Sequence, residues 1–377
     1  MMTQPFVAGE LGSAGDTTGI LEDRNKGDWM FLKGMRSSAI VLIGTLGFAF
    51  PVLAGPGITH VAGTAAPGVT LRITGDGFGT KEPAKPYVWA DFSKDINPSP
   101  LGIKTRWDLV QNLVWSPDDG GTAKSNSGKW ASWTLRADFK YWTDDGRRIY
   151  LYRRTRMNFV ITNVTQSWVT WMMWADMQAP AFAVGASNGG VGTMGLTPDA
   201  PTGFWCNERN PTTRIPDTKW HTEEFIFKSS SKPGLFDGSL DIRMDGGSRC
   251  SGSVMTRDGY NPGLMNNNFV VHMVGNNIEG WIPPWDSNNM GWSDDVYADT
   301  TWARVMVGNA PRYHACTQLA PQTPTAWSDT SITVVVNKGP LNDLCSSYLY
   351  VVDEKGEVNK DGYPLASNCA AIRSPGK

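Results

Sequence analysis

The sequence predicts an almost wholly β protein, on the basis of its glycine and proline content and its strand-like alternation. Forty-one glycines and 24 prolines among 377 residues suit short strands joined by turns and disfavour long helices. Seven segments carry strand patterns separated by turn residues, and none has a convincing helical period. They are 133–142, 149–161, 167–174, 220–228, 239–244, 268–274 and 294–307. Such a series predicts a two-sheet sandwich or jelly roll.

Length, charge and tryptophan content indicate how the chain is organised and which partners it is expected to bind. A chain of 377 residues is long enough for two domains. The formal net charge is only −2, and the acidic and basic residues are interspersed, so nucleic acid is not an expected partner. The 17 tryptophans are an unusually large number. Because a buried indole N–H needs a hydrogen-bond partner, some of them are expected on a binding surface.

The N-terminal part has the pattern of a signal peptide. Residues 39–53 are uncharged and mostly apolar, with Lys33 and Arg36 before them and Ala54 after them. We expect a signal peptide at about residues 35–54, cleaved after Ala54, and a secreted or cell-surface protein with no membrane span after cleavage. A short membrane anchor is the alternative, although about 15 residues are few for a span. Translation from Met1 or from Met35 stays open.

All five cysteines lie in the part that would be exported, where disulfides are allowed. An odd number leaves one thiol over. Cys206 and Cys250 would share the central domain and could pair, whereas Cys316, Cys345 and Cys369 would lie near the terminal one. The sequence alone does not decide which cysteines form disulfide bonds. No Cys or His spacing suggests a zinc site.

Two terminal segments look like parts of one small domain. Residues 69–74 alternate between apolar and polar side chains, and a glycine-rich turn follows at 75–79. This order resembles the opening of an IPT/TIG domain, an immunoglobulin-like module. Residues 325–337 and 347–365 resemble the closing strands of the same family.

The resemblance implies a split module of residues 55–92 and 317–366, with residues 93–316 inserted and 367–377 as a tail. Insertion is tolerated where the termini of the insert lie close together. The alternative is two unrelated strand pairs that pack on the central sandwich.

The inserted segment resembles concanavalin A-like folds in residues 220–225, 237–246 and 294–305. That group includes lectins, laminarinase-type glucanases, and alginate and glucuronan lyases, so the resemblance implies a carbohydrate ligand. The Glu-x-Asp-x-x-Glu motif of the glucanases is absent. A lyase needs a base beside the uronate carboxylate and a group that neutralises it, but no lyase motif is present.

Strand parity selects the candidate site residues. Because alternate side chains share a face, we expect seven residues to meet on a concave sheet: Tyr150, Tyr152, Arg156, Trp171, His221, Glu223 and His272. Tyr150, Tyr152, Arg156, Trp171 and Glu223 would bind the glycan. In a lyase, His221, His272, Tyr150 and Arg156 would be the catalytic candidates. For each residue the alternative is an ordinary core or solvated position.

Two weaker motifs lead to no firm site. Asp294 and Asp295 could help to bind Ca²⁺, although two acidic residues without further oxygen ligands are few for this ion. No other cofactor and no other metal site is expected. Residues 185–189 fit the pattern G-x-S-x-G but lack the strand-turn-helix context of a nucleophile elbow.

The sequence therefore favours a secreted or cell-surface glycan-binding protein without an evident catalytic motif. One alternative is a polysaccharide lyase that acts on uronate-containing glycans by β-elimination. The other is a structural or adhesion protein that uses the immunoglobulin-like module as a spacer.

Overall fold

The computed structural model describes fourteen stretches of the chain: residues 55–93, 113–117, 119, 122–126, 133–139, 148–158, 167–175, 182–187, 190–196, 217–228, 230–232, 235–254, 269–279 and 290–369. Within these stretches the regular structure consists of β-strands and short 3₁₀ helices. The all-β class predicted from the sequence is confirmed. No helix in the described part is long and apolar enough to cross a membrane.

The described strands number twenty. In chain order they are β1 (Gly57–Ala62), β2 (Thr70–Asp76), β3 (Val88–Ala90), β4 (Leu113–Ser116), β5 (Thr122–Asn126), β6 (Trp133–Phe139), β7 (Arg148–Met157), β8 (Ser167–Ala175), β9 (Phe182–Ser187), β10 (Gly190–Leu196), β11 (His221–Lys228), β12 (Gly238–Met244), β13 (Gly247–Val254), β14 (Phe269–Glu279), β15 (Met290–Asp299), β16 (Arg304–Gly308), β17 (Leu319–Ser328), β18 (Ser331–Val335), β19 (Tyr348–Val352) and β20 (Tyr363–Pro364).

One sheet joins the two ends of the described chain, and we call the part built on it the terminal module. Its strand order is β1-β2-β18-β17-β16-β19-β20. Strand β2 pairs antiparallel with β18, with Thr74 opposite Ser331 and Leu71 opposite Val334. Leu71 and Val334 also lie in one buried apolar cluster. The two terminal segments thus pair in one sheet, while their IPT/TIG family assignment stays a prediction.

A disulfide bond closes the end of the terminal module. Cys345 and Cys369 are bonded, at a sequence separation of 24. Cys316 is a buried free thiol. Cys206 lies outside the described residues, so the predicted pair with Cys250 stays a prediction. By loop closure alone, a cross-link of this length stabilises a fold by about 3 kcal/mol.

Strands β3 to β15, between Val88 and Asp299, form two further sheets in a sandwich-like arrangement. Strand β16, which the sequence assigned to the inserted segment, belongs to the sheet of the terminal module. The eight-stranded sheet has the order β13-β12-β11-β7-β15-β5-β4, with β3 also paired to β15. The five-stranded sheet has the order β10-β9-β8-β14-β6, and β14 contacts β15. From Leu53 onward the chain forms a single compact unit.

The eight-stranded sheet has two unlike faces. One face, here called the apolar face, carries buried side chains such as Leu151, Phe225 and Ile242, which lie opposite one another in adjacent strands. The other, here called the tyrosine face, carries Tyr150 and Tyr152 and packs against the terminal module. Residues of both layers form one buried cluster: Tyr150, Tyr152, Tyr297, Met306, Tyr313, Cys316, Leu319, Tyr350 and Val352.

The β12–β13 hairpin also contacts the terminal module through its turn. Asp245 and Gly246 both have positive φ angles, 50° and 73°, as a tight two-residue hairpin requires. A Cβ atom on Gly246 would lie 1.9 Å from the carbonyl oxygen of Cys316. Glycine is therefore required here both by the backbone conformation and by the close approach of the two layers.

Candidate functional site

The register divides the candidate residues of β7 and β11 between the two faces of the eight-stranded sheet. His221 lies opposite Thr155, and Glu223 lies opposite Arg153. Residues opposite each other in adjacent strands share a face, so His221 and Glu223 lie on the apolar face. Tyr150, Tyr152 and Arg156 have the other parity and lie on the tyrosine face. The expectation that these five residues meet on one concave surface is wrong, because parity within a strand does not fix the register between strands.

Tyr150 and Tyr152 are core residues of the contact between the two layers. Both are 0% exposed. The hydroxyl of Tyr150 donates to Glu224 Oε2 at 2.8 Å, and that of Tyr152 donates to the carbonyl of Leu319 at 2.7 Å. Burial is the main cause that raises the pKa of both phenols. Neither ring is accessible for stacking on a sugar, so the expected platform is not formed by these two residues.

His221 and Glu223 are held by charged neighbours on the apolar face. His221 Nδ1 lies 2.7 Å from Asp245 Oδ2, and Nε2 lies 3.1 Å from Asp217 Oδ1. The hydrogen bond with Asp245 is the main cause that raises the pKa of His221. Glu223 is buried and forms an ion pair with Arg153. Both predicted site residues are therefore occupied in structural contacts.

Arg156 belongs to a stack of arginine and tryptophan side chains. Its guanidinium lies 4.3 Å from the ring centre of Trp292 and 5.4 Å from that of Trp220. It also forms an ion pair with Asp119 at 3.0 Å, and the indole N–H of Trp220 donates to the same carboxylate. Its charge is thus neutralised within the protein.

Trp171 and His272 lie on the five-stranded sheet. Trp171 in β8 pairs with Val184 in β9, and His272 in β14 pairs with Met172 and Arg136. Their side chains lie outside the described part of the structure, so their roles stay predictions. The backbone separates them from the other five candidates, which are on the eight-stranded sheet.

The acidic pair considered for Ca²⁺ binds protein groups. Arg154 donates to Asp294 at 3.1 Å, and Asn337 donates to Asp295 at 3.2 Å. Burial raises the pKa of Asp294 to about 8 and also raises that of Asp295. Among the described residues no group of three or more His, Cys, Asp or Glu side chains could hold a metal ion.

A cleft with polar and apolar walls opens at one end of the contact between the tyrosine face and the terminal module. Its volume is about 420 Å³, within the range of small-molecule sites. Strands β11 to β13 supply one side of the lining: Ile226, Ser239, Leu240, Asp241, Arg243, Ser251, Gly252 and Ser253. The terminal module and the segment leading into it supply the other: Trp302, Arg304, Tyr313, His314, Lys355, Gly356 and Val358.

Strands β12 and β13 form the floor of the cleft, and several of their side chains on this side are polar. Ser239 lies opposite Ser253, and Asp241 lies opposite Ser251. Asp241 is held in place, since it accepts hydrogen bonds of 2.6 Å from Arg243 Nε and from Ser248 Oγ. The serine hydroxyls can donate or accept. The floor therefore offers hydroxyl and charged groups at strand spacing.

Trp302 is fixed in the wall by backbone and side-chain contacts. Its indole N–H lies 3.2 Å from the carbonyl oxygen of Ile149 and 3.0 Å from that of Phe227. The guanidinium of Arg148 lies 5.0 Å from the ring centre. A Cβ on Gly356, whose φ is +91°, would lie 3.1 Å from the ring. The indole is thereby held in one position at the edge of the cleft.

Arg304 is a buried cation in the cleft wall with neutral hydrogen-bond partners. It is 3% exposed. It donates to the carbonyl of Trp302 at 2.8 Å and to the hydroxyl of Tyr313 at 3.0 Å, and its carbon centre lies 3.9 Å from the ring centre of Tyr150. Among the described residues it has no ion pair, and its Nε has no partner.

The charges around the cleft favour an anion. Burial by itself would lower the pKa of Arg304, but Tyr313, Tyr150 and Glu224 raise it overall, so the guanidinium stays charged. Arg243 is paired with Asp241, the one carboxylate of the lining, and Lys355 adds a further cation. The buried carboxylate of Glu224, outside the lining, acts on both Arg304 and Arg243. The arrangement can hydrogen-bond hydroxyl groups and pair with a negative substituent.

Sequence reasoning missed this cleft because its lining comes from distant parts of the chain. One signal was present: in β12, Ser239, Asp241 and Arg243 alternate with the apolar residues Leu240 and Ile242. That pattern predicts a strand with one polar face. The wall residues carry no comparable pattern, since the loops of the terminal module bring them into place.

Comparisons with known proteins find similar solved structures at low identity. The endo-β-1,4-glucuronan lyase of the fungus Trichoderma reesei matches with 14% identity over 51% of this chain and 85% of that chain, with a TM-score of 0.34. An alginate lyase from Aplysia kurodai matches with 10% identity over 58% and 100%, with a TM-score of 0.37. The binding domain of Paraclostridial Mosquitocidal Protein 1 matches with 10% identity over 71% and 64%, at 0.37. No family model and no curated protein matches the chain.

Proposed function

We propose that the protein binds a glycan carrying an acidic group, in the cleft between β12–β13 and the terminal module. The observation that carries this proposal is Arg304, a buried cation in the cleft wall whose hydrogen-bond partners among the described residues are neutral. Buried charges in proteins are normally paired. Glu224 acts on Arg304 without forming an ion pair among the described residues, so a carboxylate or sulfate of a ligand would supply a direct one.

The rest of the lining suits a sugar. Ser239, Ser251 and Ser253 offer hydroxyls that can bind sugar hydroxyls, and the Asp241–Arg243 pair offers a fixed acceptor and a fixed donor. Trp302 adds apolar surface at the edge of the cleft. Ligand sites of this kind combine apolar walls with a few fixed polar groups.

The test compares two oligosaccharides that differ only in the acidic group. β-1,4-linked glucuronic acid oligomers carry a carboxylate where cello-oligosaccharides carry a hydroxymethyl group. Titration calorimetry is expected to show tighter binding of the acidic tetrasaccharide, weakened at least about tenfold by Arg304→Gln, the scale of one charge-assisted hydrogen bond.

Two variants keep this test decisive where the buried substitution impairs folding. Arg243→Gln and Lys355→Ser change less buried cleft residues and are expected to weaken binding of the acidic oligomer by smaller factors. Equal affinity for both oligosaccharide series in the wild-type protein would contradict the acidic ligand. Absence of binding to either series would leave the structural or adhesion role as the remaining function.

The same cleft also supports a polysaccharide lyase as a second candidate, because Tyr313 hydrogen-bonds with Arg304 and His314 lines the same cleft. In β-elimination a base takes the proton beside the uronate carboxylate, a cation neutralises that carboxylate, and the bond to the departing sugar oxygen breaks to leave an unsaturated sugar. Burial raises the pKa of Tyr313, so its phenol stays protonated and would be the candidate that returns a proton to the departing sugar oxygen, and the exposed His314 is the candidate base. Absorbance of the unsaturated product that disappears on His314→Ala would favour this candidate.

A secreted or cell-surface location is part of the proposal. The Cys345–Cys369 disulfide supports it, because such bonds persist in oxidising compartments. The predicted signal peptide lies outside the described residues. Sequencing the N-terminus of exported protein tests it, with a start near Gly55 expected and a start at Met1 or Met35 contradicting it.

A further inference from the structure

A buried lysine–aspartate pair joins the terminal module to the eight-stranded sheet. Lys81 lies in the segment that follows β2, and its ammonium lies 5.8 Å from the ring centre of Trp327 in β17. Asp299 is the last residue of β15. Lys81 Nζ lies 2.6 Å from Asp299 Oδ2, and the two side chains are only 1% and 5% exposed. The amine and the carboxyl group are thus held in contact and away from water.

The hydroxyl of Tyr297 bridges this pair. It donates to Asp299 Oδ2 at 3.0 Å, and Lys81 Nζ donates to it at 3.5 Å. Tyr297 is fully buried, and its ring packs edge-on against that of Tyr150. The other carboxyl oxygen, Oδ1, accepts a hydrogen bond of 2.9 Å from the backbone N–H of Thr300. Each oxygen of the carboxyl group therefore has its own donor, and the hydroxyl connects one of them to the amine.

Burial shifts both charged groups towards their uncharged forms. It is the main cause that lowers the pKa of Lys81 and the main cause that raises the pKa of Asp299, although the attraction between the two charges opposes both shifts. Taking an ion pair out of water is costly, so proton transfer from the ammonium to the carboxylate costs less here than at the surface. The transfer yields a neutral amine, which is a nucleophile, beside a neutral carboxyl group.

We propose that Lys81 and Asp299 form an intramolecular amide cross-link. Lys81 Nζ, as the neutral amine, attacks Cγ of the protonated Asp299 carboxyl group, and a C–N bond forms. The backbone N–H of Thr300 stabilises the negative charge that develops on Oδ1. Tyr297 takes a proton from the nitrogen and gives its own proton to the departing oxygen. The C–Oδ2 bond then breaks, one water molecule leaves, and Oδ1 becomes the amide carbonyl, so the atoms balance without an oxidant or a co-reactant.

The cross-link would join the segment after β2 to the end of β15, across the contact between the two layers. This inference is independent of the proposed glycan binding. Contact between the two groups supplies the rate advantage, since groups held together react as if at very high concentration. Thiols reduce the Cys345–Cys369 disulfide but do not cleave an amide, so the amide would keep the layers joined in reducing as well as oxidising surroundings.

Intact mass and peptide mapping of the full chain test the amide directly. The reduced, denatured wild-type protein is expected to weigh less than its sequence requires, by the mass of one water molecule. Trypsin should fail to cut after Lys81 and should release residues 73–94 linked to residues 258–304. The ion pair of Lys219 with Asp217 is the internal control, because its lysine side chain is 82% exposed and should still be cut by trypsin. A wild-type protein of full mass that is cut after Lys81 would overturn the cross-link.

Two substitutions separate the amide from other losses of water. Lys81→Arg keeps a cation but removes the nucleophile, because a guanidinium stays protonated, so this variant should have the full mass. Tyr297→Phe removes the bridging hydroxyl and should leave a larger unlinked fraction. Loss of water that persists in Lys81→Arg would assign it to another reaction, such as succinimide formation at an Asp–Gly step, and overturn the proposal. Complete linkage in Tyr297→Phe would overturn the proton transfer through this hydroxyl. Where a variant fails to fold, the wild-type map alone decides whether the amide exists.

Discussion

The middle and the end of the tyrosine face differ although they belong to the same sheet. In the middle, Tyr150 and Tyr152 pack against Leu319 and Tyr350 of the terminal module and are fully buried. At the end formed by β12 and β13, Ser239 and Asp241 face a cleft. The chemical character of a strand face therefore does not decide whether that face binds a ligand. Binding depends instead on whether another layer covers the face.

The same contrast explains why the arginines on the two sides of this contact differ in role. Arg156 is neutralised by Asp119 and stacks between two indoles, and Arg154 is paired with Asp294 and Asp295. Arg304 has no such carboxylate partner in the described residues and lines the cleft. Glu224 acts on Arg304 electrostatically, but Arg304 forms no direct ion pair among the described residues, which makes it the best candidate of the three for binding an anion.

The largest expected effect comes from the covered middle of the face. Tyr150→Ala should lower the free energy of unfolding by about 3 to 5 kcal/mol, as for other large buried aromatic residues. Tyr150→Phe should cost about 1 to 3 kcal/mol, because Glu224 loses its hydrogen-bond donor. Urea unfolding measures both. A Tyr150→Ala protein of unchanged stability that has lost glycan binding would make this residue part of the site after all.

The hairpin turn that joins the two layers should give the next effect. Gly246→Ala places a methyl group against the Cys316 carbonyl at a positive φ angle, and we expect a loss of about 1 to 3 kcal/mol together with weaker glycan binding. Gly247→Ala is the matched control, since its Cβ would meet no atom closer than 3.6 Å. Equal behaviour of the two variants in urea unfolding would show that the turn does not fix the cleft.

A smaller, pH-dependent effect is expected from His221 beside the same turn. Both ring nitrogens face carboxylate oxygens, so only the protonated imidazole donates both hydrogen bonds. The raised pKa of folded His221 means that its stabilising contribution is complete below about pH 6.5, the ordinary pKa of histidine, and is lost as the pH rises through the folded value.

Asp294, whose pKa is raised to about 8, also titrates in this pH range. Because it does so in both the wild-type protein and His221→Gln, the difference between the two proteins isolates the contribution of His221. The stability advantage of the wild type should shrink as the pH rises above about 6.5, the ordinary histidine pKa, and through the raised pKa of folded His221. An advantage that grows with pH would contradict the assignment.

The smallest effect on stability is expected at the open end. Lys355→Ser should change the free energy of unfolding by no more than about 0.5 kcal/mol, because the side chain is exposed. It should nevertheless weaken binding of acidic oligosaccharides and make that binding less dependent on salt. Unchanged affinity and unchanged salt dependence would remove the terminal-module wall from the site.

The architecture was predictable in part because it depends on local patterns. Alternation in residues 69–74 marks β2, and the Asp245–Gly246 pair marks the β12–β13 turn, both of which the structure contains. The pairing of β2 with β18 also follows the expectation drawn from the two terminal segments. Turns and strand alternation depend on residues that are adjacent in sequence, so one sequence is enough to find them.

The site was not predictable to the same extent, because it depends on contacts between layers. The sequence cannot show that β7 and β11 pair with Thr155 opposite His221, or that Leu319 covers Tyr152. Nor does it show that Arg304 forms no ion pair within the described part of the chain, since that depends on which residues the fold brings around it. Residues such as Ser251 and Lys355 have ordinary sequence surroundings and become candidates only through their place in the cleft.

The most direct test of the central claim is hydrogen exchange of the full chain with and without a β-1,4-linked glucuronic acid hexasaccharide. Our account predicts slower exchange in β12, β13 and the loops around Trp302 and Lys355, with no change in β8 and β14. Protection centred on Trp171 in β8 and His272 in β14 would contradict it and move the glycan to the five-stranded sheet.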